Sequence, residues 1–284
     1  MVAPALGGLV LFVLLPFLAA LVLAFTDLRL GSPLPVHFVG FKQFQQLLSH
    51  PDFPRALGNT FLFAVLVVPI QTTLALGLAL LLNQGLPGTR AFRTLFFMPV
   101  VFPMSLVAVI WSLIYAPGPN GLMNTFLDSA SFGLWEPKDF LRDPLLALPG
   151  IMLLSIWQGV GFQMVILLAG LQGIPESLYE AATLDGAGRG QRLIHITLPQ
   201  LRNPLILVML VTTILCFRLF DQVQILTRGG PDNATTTLMY ETVHAAFARQ
   251  QVALASAMTV VFFLLVLFVT SLQRRFTRPF RGGS

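Results

Sequence analysis

The sequence predicts an all-α membrane protein that crosses the bilayer six times. Two observations carry this. Hydrophobic residues make up 55% of the 284 positions and charged residues only 10%, against roughly 25% charged in an ordinary soluble domain. Six apolar runs are also each about 20 residues long, enough to cross a hydrocarbon core of roughly 30 Å as helix. Residues 1–284 read as a single transmembrane domain.

The runs cover residues 6–25, 61–82, 94–114, 145–171, 204–226 and 252–272. The first lacks the basic leader and small-residue cleavage site of a signal peptide, so it reads as a span. Only the fifth carries charge, Arg218 and Asp221 near its C-terminal end. These two are three residues apart, which on one helix predicts a structural ion pair near the outer surface.

Six spans place both termini on one side. With the N-terminus inside, the inner segments hold Arg90, Arg93, Arg189, Arg192, Arg202, Arg274, Arg275, Arg278 and Arg281, nine of the 17 basic residues in a minority of the loop length. That bias predicts cytoplasmic termini in a cell membrane. Outside, Ala116 to Gly121 and Thr227 to Asn233 are turn clusters. Met239, Val243, Ala246 and Phe247 then recur at helical spacing, which predicts a short interfacial helix.

Several function classes drop out. The span middles lack Asp, Glu, Lys, Arg and His, which argues against a proton-relay carrier. His37, His50, His195 and His244 form no H-E-x-x-H pair, and Lys42 and Lys138 lie in no G-x-x-x-x-G-K-[ST] loop. Neither a metal site nor a cofactor is expected, and any ATP hydrolysis belongs to another chain. The modest basic excess forms no cluster suited to nucleic acid. The single cysteine, Cys216, excludes a disulfide framework and reads as a small core residue.

The inner loop at residues 174–202 is the most informative stretch. Pro175 and Glu176 suit a helix start. Leu178, Ala181 and Ala182 share a face. Asp185-Gly186 breaks the run, and Leu193, Ile194 and Ile196 give a second helix an apolar side that Pro199 ends. Two short amphipathic helices either rest on lipid or dock against another protein, and the pattern alone leaves both open.

Glu180-Ala181-Ala182, Gly186 and Ile196-x-Leu198-Pro199 match the E-A-A-x3-G-x9-I-x-L-P loop at every fixed position. In this the chain resembles the permease subunits of binding-protein-dependent ABC importers. The likeness extends over Trp157 to Phe162, Leu171 to Pro175, Phe220-Asp221, Leu226 to Pro231, Thr235 to Thr237, Gly121 to Asn124 and Asp143-Pro144. Those segments look like the carbohydrate-uptake permeases of the maltose, multiple-sugar and glycerol-3-phosphate type.

The resemblance implies the type I importer fold and a loop, with Glu180, Ala181, Ala182, Asp185, Gly186, Ile196, Leu198 and Pro199, that couples to a cytoplasmic ATPase. It also implies a second homologous permease, ATPase subunits and an extracytoplasmic solute-binding protein, working by alternating access. Two departures are Gln250-Gln251-Val252, where many members carry a glycine before Ala-Ser-Ala, and the short uncharged N-terminus. The extra glycines at 188 and 190 predict a late or frayed start to the second helix.

A polar solute needs small or polar groups on inward faces. Ser155, Gly159 and Phe162 share one face of the fourth span, with Gln158 and Gln163 nearby, and Thr212 and Cys216 share one face of the fifth. Such residues also serve helix packing. The resemblance implies that these two spans line the path, with Phe162 placed to stack on a sugar ring. The alternative is a self-sufficient carrier or channel for a small polar solute. A membrane-embedded hydrolase finds no nucleophile–base pair to support it.

Overall fold

A computed structural model describes residues 3–85 and 88–277. Arg278 and Arg281, used above for orientation, lie outside the described residues. Helix α1 (Ala3–Leu23) is followed by α2 (Lys42–Ser49) and the long α3 (Asp52–Leu82). Next come α4 (Thr89–Val101), α5 (Met104–Ile114), α6 (Leu122–Ala130) and α7 (Ala147–Gln172). The inner loop forms α8 (Glu176–Leu184) and α9 (residues 189–200). The chain ends with α10 (Arg202–Phe217), α11 (Asp221–Leu226), α12 (residues 238–248) and α13 (Val252–Thr277).

Helices that are apolar all round cannot choose a buried face by hydrophobicity, so small residues and polar pairs choose it. In α3 the buried positions Ala64, Val67, Val68, Gln71, Ala75, Ala79 and Leu82 follow one helical stripe, while Leu62, Val65, Ile70, Leu74 and Leu81 face outward. The stripe packs on α7 and α10 in two layers. Phe63 and Val67 meet Ile151, Met152 and Phe217 above. Ala75 and Ala79 meet Val160, Met164, Leu168 and Val208 below. Helix α1 contributes no buried residue and touches the bundle near its C-terminal half, where Phe17 lies 4.6 Å from Phe263 between ring centroids.

Two runs that read as continuous are broken. The third divides into α4 and α5, bent by 101°. Pro103 causes this, because the residue before a proline is driven out of the helical region; Phe102 accordingly sits at φ −81°, ψ 140°. The fifth divides at residues 218–220, with Phe220 at φ −137°, ψ −59°. The break removes the shared helix face assumed for Arg218 and Asp221. Among the described residues no ion pair joins them, and the expected pair is corrected accordingly.

Helix α12 buries Leu238, Glu241 and Ala245 against α3 and α13. Phe247, on the stripe read as interfacial, stays exposed. Before it, the Thr227 to Thr237 loop is tied down by side chains. Asn59 Nδ2 donates to the Asn233 and Thr236 carbonyls at 3.1 and 2.9 Å, and Tyr240 donates to the Arg228 carbonyl at 2.7 Å. Burial, and secondarily the Glu241 carboxylate, push the Tyr240 hydroxyl above its ordinary pKa, so it stays a donor.

Candidate functional site: a polar cavity and an inner helical hairpin

A cavity of about 340 Å³ opens where α10 breaks. Ser155, Gln158 and Gly159 of α7 line it, with Thr212 and Cys216 of α10, Arg218 at the break, and Asp221 and Gln222 of α11. Four of the five residues expected on a solute path therefore meet here. Phe162, two turns along from Ser155, does not line the cavity and is 40% exposed on the bundle surface.

Each polar group has a local cause. Pro103 drives Phe102 into an extended conformation that turns its carbonyl out of the helix, and Gln158 Nε2 donates to it at 3.3 Å. The break in α10 frees the Leu219 carbonyl, which accepts from Thr237 Oγ1 at 2.7 Å and so anchors the outer loop to the cavity wall. Gln222 Nε2 donates to Ser155 Oγ at 3.4 Å, joining α11 to α7. Below, the buried Gln163 donates to Thr212, which fixes the α7–α10 contact. Gln163 thus serves packing, whereas Thr212 serves both packing and the cavity.

Sequence reasoning missed the contribution of α3, namely Phe63, Val67 and Gln71. The signal was present, since Gln71-Thr72-Thr73 is the polar group in the middle of the second apolar run. Gln71 crosses directly over Gly159, where an added Cβ would stand 2.3 Å from Gln71 Nε2.

At the inner end, α8 and α9 form a hairpin. Gly186 takes φ +76°, with Gly186 N–H donating to the Thr183 carbonyl at 3.1 Å and Ala187 N–H to the Ala182 carbonyl at 2.9 Å. This paired pattern closes a helix with a left-handed residue after its cap, here Asp185, and favours glycine there. Helix α9 starts directly at Arg189, not late, because Gln191 Oε1 accepts from Gly188 N–H at 2.8 Å. It also continues past Pro199 to Gln200. A wide π turn at Leu193–Thr197 accommodates the ring and the missing N–H.

The two arms are tied by Tyr179 Oη and Thr197 Oγ1 at 3.0 Å and by Arg192 Nη1 donating to Thr183 Oγ1 at 3.0 Å. None of these four residues was singled out from the sequence as a brace, Arg192 having been counted only for orientation. Between the arms lies a groove of about 330 Å³ lined by Ala182, Asp185, Gly186, Arg192, His195 and Ile196. Glu180, Ala181 and Pro199 are exposed on the same hairpin, Leu198 is half-buried, and Leu184 and Ile194 present 90% and 59% of their surface.

Comparison with known proteins gives a consistent result. Residues 71–282 match the family described as binding-protein-dependent transport system inner membrane component. The diacetylchitobiose uptake system permease protein NgcF of Streptomyces coelicolor is 36% identical over 284 residues, covering 96% of this chain and 80% of the relative. The trehalose/maltose transport system permease protein MalF of Thermococcus litoralis is 32% identical over 271 residues, covering 95% and 90%. A bacterial alginate ABC transporter, solved in complex with an alginate pentasaccharide-bound periplasmic protein, contains a chain with the same fold at TM-score 0.84. Identity to that chain is 21%, and coverage is 98% of this chain and 92% of that one.

Proposed function

The chain belongs to the family of binding-protein-dependent transport system inner membrane components and is a permease subunit of an ABC importer; on that premise we propose that it passes a carbohydrate through the cavity at the α10 break. The observation that carries the proposal is the density of hydrogen-bonding groups there. Ser155, Gln158, Thr212, Arg218, Asp221 and Gln222 converge inside an otherwise apolar bundle. Arg218 and Asp221, free of each other, offer a donor fork and an acceptor pair to a polyol. Relatives named for diacetylchitobiose and for trehalose and maltose support a sugar of this kind.

In this reading the cavity is one half of the path, and a second homologous permease supplies the other. An extracytoplasmic binding protein delivers the solute. Separate subunits hydrolyse ATP, in keeping with the lack of a phosphate-binding loop in this sequence. Their closure pushes on the α8–α9 hairpin, and the spans reorient around the solute. Both termini lie in the cytoplasm with the hairpin.

Co-expression with an ABC ATPase and affinity purification in mild detergent test the assembly. The ATPase is expected to co-purify with the wild type and to be depleted by Glu180→Lys at matched expression. A reporter after Ser284 is expected to be active inside and one beside Gly121 outside. Equal ATPase recovery from both proteins, or the reverse reporter pattern, would remove the hairpin from the cytoplasmic contact.

A further inference from the structure

Away from the cavity, three elements bring metal-ligating atoms together at the head of α3. His50 precedes the helix, Asp52 occupies its first turn, and Glu241 comes from α12. One ligand atom from each lies within 4.8 Å of the others. His50 Nδ1 stands 3.7 Å from Asp52 Oδ2.

Among the described residues, the remaining contacts occupy His50 Nδ1 only by a long hydrogen bond and leave one oxygen of each carboxylate without a hydrogen-bond donor. Asn233 Nδ2 donates to Asp52 Oδ1 at 2.8 Å, which orients the carboxylate and leaves Oδ2 turned toward the imidazole. The Asp52 backbone N–H reaches His50 Nδ1 only at 3.4 Å, too long to satisfy that lone pair well. Glu241 is 3% exposed and is held by Arg249 through Oε1. An imidazole lone pair and a carboxylate oxygen thus face each other with a second, buried carboxylate beside them. With Nδ1 unprotonated these acceptors are drawn together by a cation between them, whereas with Nδ1 protonated His50 pairs with Asp52 directly. Arg249 offsets one of the two carboxylate charges, so a divalent ion leaves a net charge of about one unit at the site.

We infer that His50, Asp52 and Glu241 form a site for a divalent transition metal of the zinc class on the extracytoplasmic side. One imidazole nitrogen and two carboxylates suit zinc, manganese or ferrous iron, and the nitrogen disfavours calcium and magnesium. Zinc bonds of about 2.0–2.2 Å place tetrahedral ligand atoms roughly 3.4 Å apart, so a small contraction closes the site. The side chains of His50 and Asp52 are 26% and 28% exposed, which admits the ion and leaves room for a water as fourth ligand. Bound there, the metal cross-links the start of α3 to α12 and, through Asn233, to the loop that anchors the cavity wall.

The test uses the full chain in detergent with its co-expressed partners, carrying no polyhistidine tag, stripped with chelator and desalted. Titration with Zn²⁺ is followed by calorimetry and by metal content after a second desalting. The expectation is one more zinc retained by the wild type than by His50→Gln, affinity at this position falling by at least roughly tenfold in the variant. Excess Ca²⁺ or Mg²⁺ is expected not to displace the ion. Removing Glu241 unpairs Arg249 and threatens folding, so the more exposed His50 is the deciding position, with His195→Gln as a control that keeps full binding. Equal zinc content in wild type and His50→Gln, or displacement by Ca²⁺, overturns the assignment.

Discussion

Gly159 and Gly161 are two residues apart on α7 and face different neighbours, and that difference sets what each tolerates. A Cβ on Gly161 would stand 1.9 Å from the Phe96 carbonyl oxygen, a backbone atom of α4 that cannot move alone. Gly161→Ala is therefore expected to push α4 off α7 and to cost about 1–3 kcal/mol as overpacking, read as a lowered melting temperature of the purified protein. At Gly159 the obstacle is the end of the flexible Gln71 side chain. Gly159→Ala is expected to fold normally with Gln71 displaced, whereas Gly159→Leu fills the cavity and loses uptake while keeping wild-type stability. Identical melting temperatures for Gly161→Ala and wild type would contradict the close α4–α7 approach. Gly159 was legible in the sequence as a small residue on a polar face. Gly161 was not, because the atom it accommodates comes from a helix whose path depends on the bend at Pro103. Gln250 shows the same limit: it holds φ +57°, and only the structure reveals the left-handed turn.

At the scale of elements, the inner hairpin was largely legible and its internal bracing was not. The placing of Pro175, Glu176, Asp185 and Gly186 marks the first helix and its end through local backbone rules that act within a few residues. The pairings of Tyr179 with Thr197 and of Arg192 with Thr183 join arms whose relative angle no local rule sets. For the same reason the π turn before Pro199 escaped a reading that stopped the helix at the proline. Removing one brace is expected to loosen the hairpin without unfolding it. Tyr179→Phe loses one hydrogen bond, about 1 kcal/mol. Amide exchange across residues 176–200 is expected to quicken, with exchange in α3 and α7 unchanged. Unaltered exchange in the hairpin would show that its two arms are held by other contacts.

Over the whole molecule, composition and the six apolar runs announced an all-α membrane protein, and the spaced motif announced the family. The breaks in the third and fifth runs stayed hidden because hydropathy averages over a window and registers neither the change of direction in the third nor the few non-helical residues that interrupt the fifth. Those breaks make the cavity, turning Gln158, Arg218, Asp221 and Gln222 toward one space. Helices α7 and α10 therefore run between two distant places, the cavity at the α10 break and a hairpin whose tip is Gly186. The measurement that tests this link most directly is solute-stimulated ATP hydrolysis by the reconstituted importer carrying Gly186→Val at wild-type subunit ratio. A β-branched residue at φ +76° costs roughly 1–2 kcal/mol locally, and an added Cβ meets nothing within 4 Å inside this chain, so the effect falls on the hairpin and whatever docks there. The predicted result is intact insertion with stimulation by solute lost and uptake abolished. Wild-type stimulation and uptake in that variant would contradict the account.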